Sequence, residues 1–593
     1  RMNHAADKLV FHGAEGVFSD LLIDDPKAGV LDERRVLLEF KGHGRMLSWT
    51  EGFRELKFQY LETFEFLPRN RYNPRMRIFV NVMNGLGDLF LTMHTIRELK
   101  LRADAEITVL CWYYLEDVVK AFPFVDIVMP WTEEYQGDEG LEKLRALVAK
   151  SGPFDVSIDF AFPPRSAMIS RATGAPIKLM VMPGDTVFDD IEFIEREQHH
   201  GIASETMRVL DRLKIDRPST IAPPHLWLQG EDFVAARRIV AELDLDKDQP
   251  LVMIHPGAGV PARRWADERY AQLADALVDR YGAKVLFLGG RKDQMSIIAM
   301  REGIREEDTV ERILNLARHR HASAAGRDNT RVLALLLEES DLFIGNNSGP
   351  GHIAGQIGAR TLILWGPSNP PEWKPLGPDV ALAMQVEGLD CFPCSPRGCD
   401  EPVCMDQLTV TIALETIEKK WPGLPLRRRR LPVAVEIASG ERPHPGYIHL
   451  DARRITDVDI IGEATRMPLA RGRVRQIHAQ HIIEHFPTAQ LDRILGQWVA
   501  TLEPGGAIQV VTPNLAYIAS GYADGSMPTE EAVTRLYGEQ NYPGNFHFTL
   551  FDKRTLQAAL ERAGCHPVYD MTRRFESRKT PMSLYMVGFR PCS

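Results

Sequence analysis

The chain has 593 residues, of which 44% are hydrophobic and 26% charged, and its formal net charge is -10. Because a single core rarely grows beyond roughly 250 to 300 residues, we expect several folded domains. The negative balance argues against nucleic acid as a general partner, and the longest apolar runs are too short to span a bilayer. No signal-peptide pattern opens the chain, so we expect a cytoplasmic protein without a transmembrane segment. A homo-oligomer is compatible with this sequence.

Residues 1–75 mix short β-like runs with Gly and Asp turns, and no catalytic motif stands out among them. The runs RRVLLEFK, MLSWT and FQYLETFEFL have the composition of strands. We predict a small β-rich appendage that packs on the rest of the chain or contacts a partner.

Residues 76–225 alternate strand and helix patterns, as a doubly wound α/β domain does. The run MRIFVNV at 76–82 predicts a strand, residues 84–88 a turn, and residues 89–100 a helix. Asp88 therefore stands at a helix N-terminus, where the helix dipole helps to keep a carboxylate ionised.

Residues 226–425 repeat the alternation and predict a second doubly wound domain. Here the turn GNNSGPGHIA at 345–354 joins an apolar strand to a helix that Pro350 opens. The free N–H groups at that helix start would attract an anion. The alternative is an ordinary strand-helix-strand connection in which Ser348 caps the helix.

Several motifs follow one another in a fixed order: GLGD at 85–88, HPGAG at 255–259 with RRW at 263–265, LFLGG at 286–290, GNNSGPGHIA, and WGPSNP at 365–370. In this order they resemble glycosyltransferase family 9, the bacterial heptosyltransferase-like enzymes, over about residues 76–420. The resemblance implies a GT-B pair of Rossmann-like domains across a cleft, with the nucleotide sugar on the second. It also implies inverting transfer to a glycan, lipid-linked glycan or protein acceptor without a catalytic metal. A GT-B nucleotide-sugar epimerase is the alternative.

By the same resemblance, Asp88 is the general base that takes the proton of the acceptor hydroxyl, and an N-terminal helix cap is its structural alternative. Arg263 stands where the family commonly has a lysine that grips the donor diphosphate, and arginine keeps that charge. Asn347 stands where heptosyltransferases commonly have Asp, so the donor sugar can differ from heptose. The predicted donor-binding residues are Gly87, Gly257, Arg263, Arg264, Asn347, Ser348, Gly349 and His352.

Four of the seven cysteines lie in the segment CFPCSPRGCDEPVC at 391–404. They are Cys391, Cys394, Cys399 and Cys404, and their spacing brings four thiols into one loop, as a tetrahedral Zn or Fe site requires. A similar cysteine finger in some protein-modifying heptosyltransferases implies a structural metal. Free buried thiols are the alternative.

Residues 421–425 break any helix, and the arginine run at 427–430 follows them. That run is either solvated linker charge or a site for phosphate or lipid headgroups. Residues 431–593 then begin a new fold with VAVEIASGERPHPGYIHLD, which predicts a strand, a glycine turn and a second strand. Together with HAQHIIEHF, LEPGGAIQVVTPN and YPGNFHFTLF, it resembles the small class I S-adenosylmethionine-dependent methyltransferases found near glycan assembly genes.

This second resemblance implies S-adenosylmethionine as a cofactor and methylation of the glycan as a second activity. A carboxylate at the end of the second strand, Asp451, suits the ribose hydroxyls, Glu463 would lie near the adenine, and His481 near the methyl-transfer face. Glu484 and His485 form an EH pair that is either functional or a hydrogen-bonded helix end. Ala438 replaces a glycine of the family's first loop, so a binding or scaffold module without catalysis is the alternative. The predicted cofactor-binding residues are Glu436, Ala438, Gly440, Asp451, Glu463 and His481.

Overall fold

The computed structural model describes residues 75–132, 137–161, 165–181, 189–194, 201–245, 248–290, 305–327, 329–394, 399, 401–426, 433–541, 544–575 and 581–592, with three short strands before them. The arginine run at 427–430 and most of the predicted appendage lie outside these residues. Arg1–Pro74 and Arg75–Ser593 form two compact units. The first contains an antiparallel sheet of Arg35–Leu38, Arg45–Ser48 and Phe58–Gln59.

The second unit begins with a parallel sheet whose strands alternate with helices along the chain. In spatial order the strands are Ile127–Trp131, Glu106–Trp112, Arg77–Asn81, Val156–Asp159, Ile177–Met180 and Glu192–Phe193. The α-helices are Leu86–Ala103, Glu116–Lys120, Gly137–Ser151, Arg165–Ala172, Ile202–Thr206 and Arg208–Arg212. In strand Arg77–Asn81 every residue after Arg77 is buried, as expected for a parallel strand covered on both faces, which is why its sequence reads as one apolar run.

A second parallel sheet repeats this topology. Its strands in spatial order are Ala322–Ser323, Lys284–Phe287, Leu251–His255, Leu342–Asn346, Thr361–Trp365 and Val380–Met384. Its α-helices are Gly230–Glu242, Asp267–Tyr281, Glu306–Leu316, Thr330–Glu339, Gly349–Gln356, Pro370–Trp373, Val403–Gln407 and Val410–Lys420. In each sheet the chain adds strands first on one side of its first strand, Arg77–Asn81 or Leu251–His255, and then on the other side. In such folds ligands bind outside the carboxyl ends of the strands at the point where this order switches.

The third sheet is mixed. Its strands in spatial order are Ile460–Ile461, Ile448–Asp451, Ala434–Ile437, Val474–Gln480, Leu502–Pro513, Ser583–Phe589 and Val568–Asp570. The first five are parallel, and the last two pair antiparallel. The α-helices are Thr488–Thr501, Leu515–Ala523, Thr529–Tyr537, Lys553–Arg562 and Thr572–Phe575. The prediction of an α/β protein with Rossmann-like sheets is confirmed by these three topologies.

One face of the third sheet is bare of helices along its first three crossovers. The crossovers at 438–447, 452–459 and 462–473 are all described, and they run as loops. Side chains alternate along the strands, so each strand contributes to two different cores. Val435, Ile437, Ile508 and Val510 pack with the helices Thr488–Thr501 and Lys553–Arg562, whereas Ala434, Ala507, Val587 and Phe589 join the core of the first two sheets.

Polar contacts hold this bare face against the second parallel sheet's helices. Arg237 donates to the Gly446 carbonyl at 2.6 Å, and the guanidinium of Arg475 pairs with Glu338 at 3.0 Å. A Cβ on Gly230 would lie 2.0 Å from the Pro445 carbonyl oxygen. The loop before strand Ile448–Asp451 therefore packs directly on the first residue of helix Gly230–Glu242. The third sheet therefore has one core of its own and packs its other face against residues of the first two sheets.

Among the described residues, none of the helices combines the length and the apolar character that crossing a membrane requires.

Candidate active site

Asp88 is placed by the first turn of helix Leu86–Ala103, directly after the first strand of the first sheet. Its carboxylate accepts the N–H of Gly85 at 3.1 Å, so Asp88 does contribute to the helix cap. Burial raises the pKa of Asp88 from an ordinary 3.8 to about 6, against the lowering effects of that hydrogen bond and of the charge on Arg263. The carboxylate is thus ionised near neutral pH but much more basic than an exposed aspartate.

The GNNSGPGH turn lies at the carboxyl end of strand Leu342–Asn346 and opens the helix Gly349–Gln356. Ser348 occupies the N-cap position, but its hydroxyl makes no capping hydrogen bond. Among the described residues, the buried Ser348 Oγ and the Nδ2 of Asn347 have no hydrogen-bond partner. Since buried polar groups are normally paired, these two groups fit a ligand better than an ordinary capped connection.

The neighbouring Asn346 has a structural role instead. Its Oδ1 accepts the hydroxyl of Tyr270 at 2.8 Å, and its Nδ2 donates to the carbonyl of Pro256 at 2.7 Å. The amide therefore ties the GNNSGPGH turn to the HPGAG loop. This leaves Asn347 as the asparagine that faces the site.

The N-termini of helices Leu86–Ala103 and Gly349–Gln356 meet so closely that no larger side chain fits between them. A Cβ on Gly87 would lie 2.8 Å from Cδ2 of His352, and a Cβ on Gly349 would lie 2.7 Å from the Leu86 side chain. Gln356 donates to the carbonyl of Phe90 at 3.1 Å and fixes the two helices farther along. The positive N-terminal ends of two helices therefore lie side by side, one following a strand of the first sheet and the other a strand of the second.

His352 is buried at this contact, and its Nδ1 has no hydrogen-bond partner among the described residues. Burial, together with the charge of Arg263, lowers the pKa of His352 to about 4. The ring is therefore neutral at about pH 7 and can donate or accept a hydrogen bond.

The two arginines of the RRW motif have different surroundings. Burial lowers the pKa of Arg263, and the charge of Asp88 opposes this effect, so its guanidinium lies within electrostatic reach of the carboxylate. Arg264 instead donates from Nε to the carbonyl of Ala258 at 2.9 Å and borders a cavity of about 250 Å³ beside the loop. The geometry brings Arg263 to Asp88 and His352, and it sets Arg264 to one side.

Glu306 is a site residue that the sequence did not predict. It accepts the Gly290 N–H at 2.6 Å and lies 3.2 Å from Nε2 of His255, between the HPGAG and LFLGG loops. A Cβ on Gly257 would lie 2.0 Å from its Oε1, which explains the glycine at that position. Burial by itself raises the pKa of Glu306, but His255, the Gly290 N–H and Arg264 together lower it to about 2. In the sequence, Glu306 is only the first of three acidic residues that suit any helix start.

In the third sheet, four of the predicted cofactor residues gather at the carboxyl ends of the first two strands. Ala438 has φ +56° and Gly440 has φ +63°, so the loop needs left-handed backbone where the alanine is strained. Glu436 and Ala438 border a cavity of about 380 Å³. Asp451 accepts the Gly440 N–H at 3.1 Å. Glu463 and His481 are exposed and do not border the cavity.

Two basic side chains of this chain already engage the predicted cofactor carboxylates. Nδ1 of His444 lies 2.5 Å from Glu436 Oε1, and Arg453 donates from Nε to Asp451 at 3.1 Å. Burial alone raises the pKa of Asp451, but its hydrogen bonds from Arg453 and Gly440 lower it overall. Each carboxylate would have to exchange these contacts for those of a cofactor.

The four cysteines of segment 391–404 differ in exposure: Cys391 is exposed, Cys404 is buried, and the other two lie between. Burial and then the nearby Cys399 and Cys391 raise the pKa of Cys394 to about 11, so these thiols interact. Among the described residues, the groups of three or more possible ligands within 4.8 Å of one another do not include them. The metal at this position stays a prediction.

Residues 145–404 match the family model for glycosyltransferase family 9 (heptosyltransferase). The chain is 27% identical over 172 residues to lipooligosaccharide heptosyltransferase 2 of Haemophilus ducreyi, covering 28% of this chain and 47% of that protein. It is 26% identical over 211 residues to lipopolysaccharide heptosyltransferase 2 of Salmonella typhimurium, covering 32% and 58%. The chain spans about half the length of the curated relatives it matches.

A solved glycosyltransferase family 9 protein from Veillonella parvula aligns with a TM-score of 0.48 and 21% identity, over 58% of this chain and 96% of that one. The family match ends at residue 404, before the third sheet begins.

Proposed function

We propose, on the premise that residues 145–404 carry a glycosyltransferase family 9 domain, that the protein transfers a sugar from a nucleotide-sugar donor to an acceptor hydroxyl with inversion. The observation that supports this most directly is the meeting of two helix N-termini at Gly87 and His352. One helix presents the Asp88 carboxylate, and the other begins at Ser348, whose buried hydroxyl makes no capping hydrogen bond. A proton acceptor thus lies next to an anion site, as this transfer requires.

In the proposed reaction, an oxygen of Asp88 takes the proton of the acceptor hydroxyl as that hydroxyl oxygen attacks the anomeric carbon. The new C–O bond forms on the face opposite the diphosphate, and the electron pair of the breaking C–O bond leaves with the nucleoside diphosphate. A pKa of about 6 keeps Asp88 ionised at about pH 7 and still basic enough to accept the proton. Arg263 and the start of helix Gly349–Gln356 offset the charge of the leaving group.

The donor has further partners in two groups without a hydrogen-bond partner among the described residues, and in the paired carboxylate of Glu306. The amide of Asn347 and the hydroxyl of Ser348 can each bind a sugar or phosphate oxygen without losing an existing hydrogen bond. The ionised Glu306 carboxylate, at the edge of the second sheet, suits the paired hydroxyls of the nucleotide ribose. The two halves of the donor would then be held by two neighbouring loops.

The names of the relatives indicate the sugar and the acceptor class. Because they are lipooligosaccharide and lipopolysaccharide heptosyltransferases, we propose a heptose or a related sugar as the group transferred and a glycan as the acceptor. Lipid-linked glycans and proteins are the alternative acceptors. Asn347 is the position at which we expect the sugar preference to differ from that of the relatives.

A panel of nucleotide sugars tests this function, first by thermal stabilisation and then by transfer to a glycan acceptor. We expect a free nucleoside diphosphate and a product whose anomeric configuration is inverted. An epimerase would instead yield an isomeric nucleotide sugar and no free nucleotide. In Asn347→Asp the donor preference should move toward heptose, whereas the matched exposed change Asn315→Asp should leave it unchanged; equal preferences in both variants would contradict the sugar assignment.

For the third sheet, the observations favour the scaffold alternative over an active S-adenosylmethionine-dependent methyltransferase. Glycine loops of this kind normally lead into a helix whose N-terminus binds the anionic part of the ligand, but residues 438–447 contain no helix. Glu436 and Asp451 are already paired with His444 and Arg453. The sheet's bare face is used to pack on the first two sheets.

Calorimetric titration of the full chain with S-adenosylmethionine tests this choice. We expect no heat and no thermal shift in the wild type. An Arg453→Ala variant, which frees Asp451, serves as the comparison. Saturable binding to the wild type, together with methyl transfer to the glycan product, would establish the active methyltransferase instead.

A further inference from the structure

A second group of chemically active side chains lies in the third sheet, away from the 380 Å³ cavity. The carboxylate of Glu484 and the imidazoles of His485 and His547 form this carboxylate-histidine cluster. One ligand atom from each residue lies within 4.8 Å of the other two. The glycosyl-transfer mechanism uses none of them.

Backbone hydrogen bonds assemble the cluster from two distant segments. The N–H groups of Phe548 and Thr549 donate to the carbonyl of Glu484 at 2.8 and 3.2 Å. These bonds bring His547 over His485, with ring centroids 5.0 Å apart. The juxtaposition is therefore built into the chain path and does not depend on flexible side chains alone.

In both imidazoles Nδ1 faces a backbone carbonyl, and the His485 ring also interacts with the backbone of Gly544. Nδ1 of His485 lies 3.0 Å from the carbonyl oxygen of Phe546, and Nδ1 of His547 lies 2.9 Å from that of Arg535. A carbonyl only accepts, so each Nδ1 carries the proton and each Nε2 keeps its lone pair. Metal-binding histidines are held in this way, because the outer hydrogen bond fixes both the tautomer and the ring.

The Glu484 carboxylate is buried and oriented on both oxygens. Thr512 donates to Oε2 at 3.0 Å, and Nδ1 of His481 lies 3.2 Å from Oε1. Only 1% of the residue is exposed, so these contacts fix the orientation of the carboxylate.

We propose that Glu484, His485 and His547 bind a divalent transition-metal ion of the Zn²⁺ or Fe²⁺ class. Two histidines and one carboxylate are a common ligand set for these ions. With metal bonds of about 2.1 Å at tetrahedral angles, ligand atoms lie about 3.4 Å apart, so small rotations of the two half-buried rings close the site. Three protein ligands leave at least one position open for water or an oxygen ligand.

A second cluster, Glu436 with His444 and His478, lacks these features. His444 is bonded directly to Glu436 at 2.5 Å, and Nε2 of His478 lies 3.4 Å from Oε1 of Gln480. Its histidines therefore satisfy the carboxylate and a neighbouring amide without an ion. This cluster supplies the control for the experiment.

The open position of the carboxylate-histidine cluster lies at the carboxyl edge of the sheet. His481 directly follows strand Val474–Gln480, and Thr512 belongs to strand Leu502–Pro513. Phe546 and Phe548, which flank His547, are 39% and 59% exposed. Since ligands of doubly wound sheets bind at this edge, the metal is accessible from solvent.

The test uses the full chain, freed of metal with a chelator and titrated with Zn²⁺ by calorimetry and with Co²⁺ by absorption. Cobalt bound by nitrogen and oxygen gives weak visible bands without the intense near-ultraviolet charge transfer of thiolate ligands, so binding at the cysteine segment is recognised separately. We expect His547→Ala to weaken binding at this site at least about 100-fold, since losing even an outer hydrogen-bond partner costs about 10- to 100-fold. His444→Ala should leave affinity and spectrum unchanged.

Circular dichroism and glycosyl transfer verify that His547→Ala is folded, and His485→Gln is the second variant if it is not. Loss of the visible cobalt bands in either folded variant, with the bands retained in His444→Ala, supports the site. Equal Zn²⁺ stoichiometry and an equal cobalt spectrum in wild type and in a folded variant would overturn it, as would a spectrum that contains thiolate charge transfer alone.

Discussion

Replacing Asp88 with Asn separates the two roles of this carboxylate, because base and cap predict opposite changes in stability. Asparagine is nearly isosteric with aspartate, and its Oδ1 can still accept the Gly85 N–H. If the main contribution of Asp88 were its negative charge at the helix N-terminus, losing that charge would destabilise the protein by about 0.3 to 1 kcal/mol. If the site holds a carboxylate at the expense of stability, the variant should be more stable than the wild type.

The magnitude follows from the pKa of Asp88, which burial raises from an ordinary 3.8 to about 6. The folded state then binds this proton more tightly than the unfolded state does, so stability falls as pH rises from 3.8 to about 6 and the loss is complete above that range. The difference corresponds to at most ~3 kcal/mol at about pH 7.5, and roughly half of that at about pH 5. The Asp88→Asn variant has no carboxylate at this position and therefore no such pH-dependent loss of stability.

The assay is denaturant unfolding of Asp88→Asn and wild type at both pH values, combined with the rate of nucleoside diphosphate release. We expect a higher unfolding midpoint for the variant at the higher pH, a smaller gain at the lower pH, and transfer slowed by about 10²- to 10⁴-fold. The wild-type transfer rate should fall about tenfold for each pH unit below the pKa of Asp88. Asp117→Asn, an exposed acidic residue in another first helical turn, is the control. A less stable variant that transfers normally would refute the assignment of Asp88 as the base.

Three further substitutions probe the site and its support. Gly87→Ala places a methyl 2.8 Å from the His352 ring and should displace the two helix N-termini, so the transfer rate should fall at least about tenfold. The control Gly496→Ala, whose new Cβ has no atom within 4 Å, should leave the transfer rate unchanged. Glu306→Gln should raise the KM for the donor and leave kcat nearly unchanged, and an unaltered KM would remove Glu306 from the donor site. Arg475→Met leaves the half-buried Glu338 carboxylate without its guanidinium partner, so the free energy of unfolding should fall, by less than the roughly 3 to 5 kcal/mol of a fully buried pair because water reaches Glu338. An unchanged free energy of unfolding in a denaturation series would show that this ion pair does not hold the bare face of the third sheet.

Local signals in the sequence were sufficient for the elements of the site. The apolar run at 76–82 and the opening Pro350 specify their conformation within a few residues, and the structure forms the strand and the helix there. The predicted turn at 84–88 is too long, because the helix already begins at Leu86. The sequence could not decide whether Ser348 caps its helix, because the residue types that cap a helix also bind phosphate. In the folded protein the Ser348 hydroxyl makes no capping hydrogen bond.

Long-range contacts produced what the sequence did not predict. Glu306 joins the donor loops from a helix start that looks like any other acidic first turn. The pairing of His547 with His485 depends on backbone bonds between segments some sixty residues apart. One face of the third sheet packs against the first two sheets. No local sequence pattern in either region predicts this contact, because it depends on how the folded regions fit together.

The sequence by itself determined which chemical groups this protein places at its turns: a carboxylate in GLGD, guanidinium groups in RRW, and amide and hydroxyl groups in GNNSGPGH. Backbone propensity and hydrophobic period act over a few residues, and so they can be read without a fold. Only the tertiary structure decided which of these groups meet. The contact of Gly87 with His352 and the pKa of Asp88 both arise from burial between two sheets, and burial is a property of the packed molecule rather than of any segment.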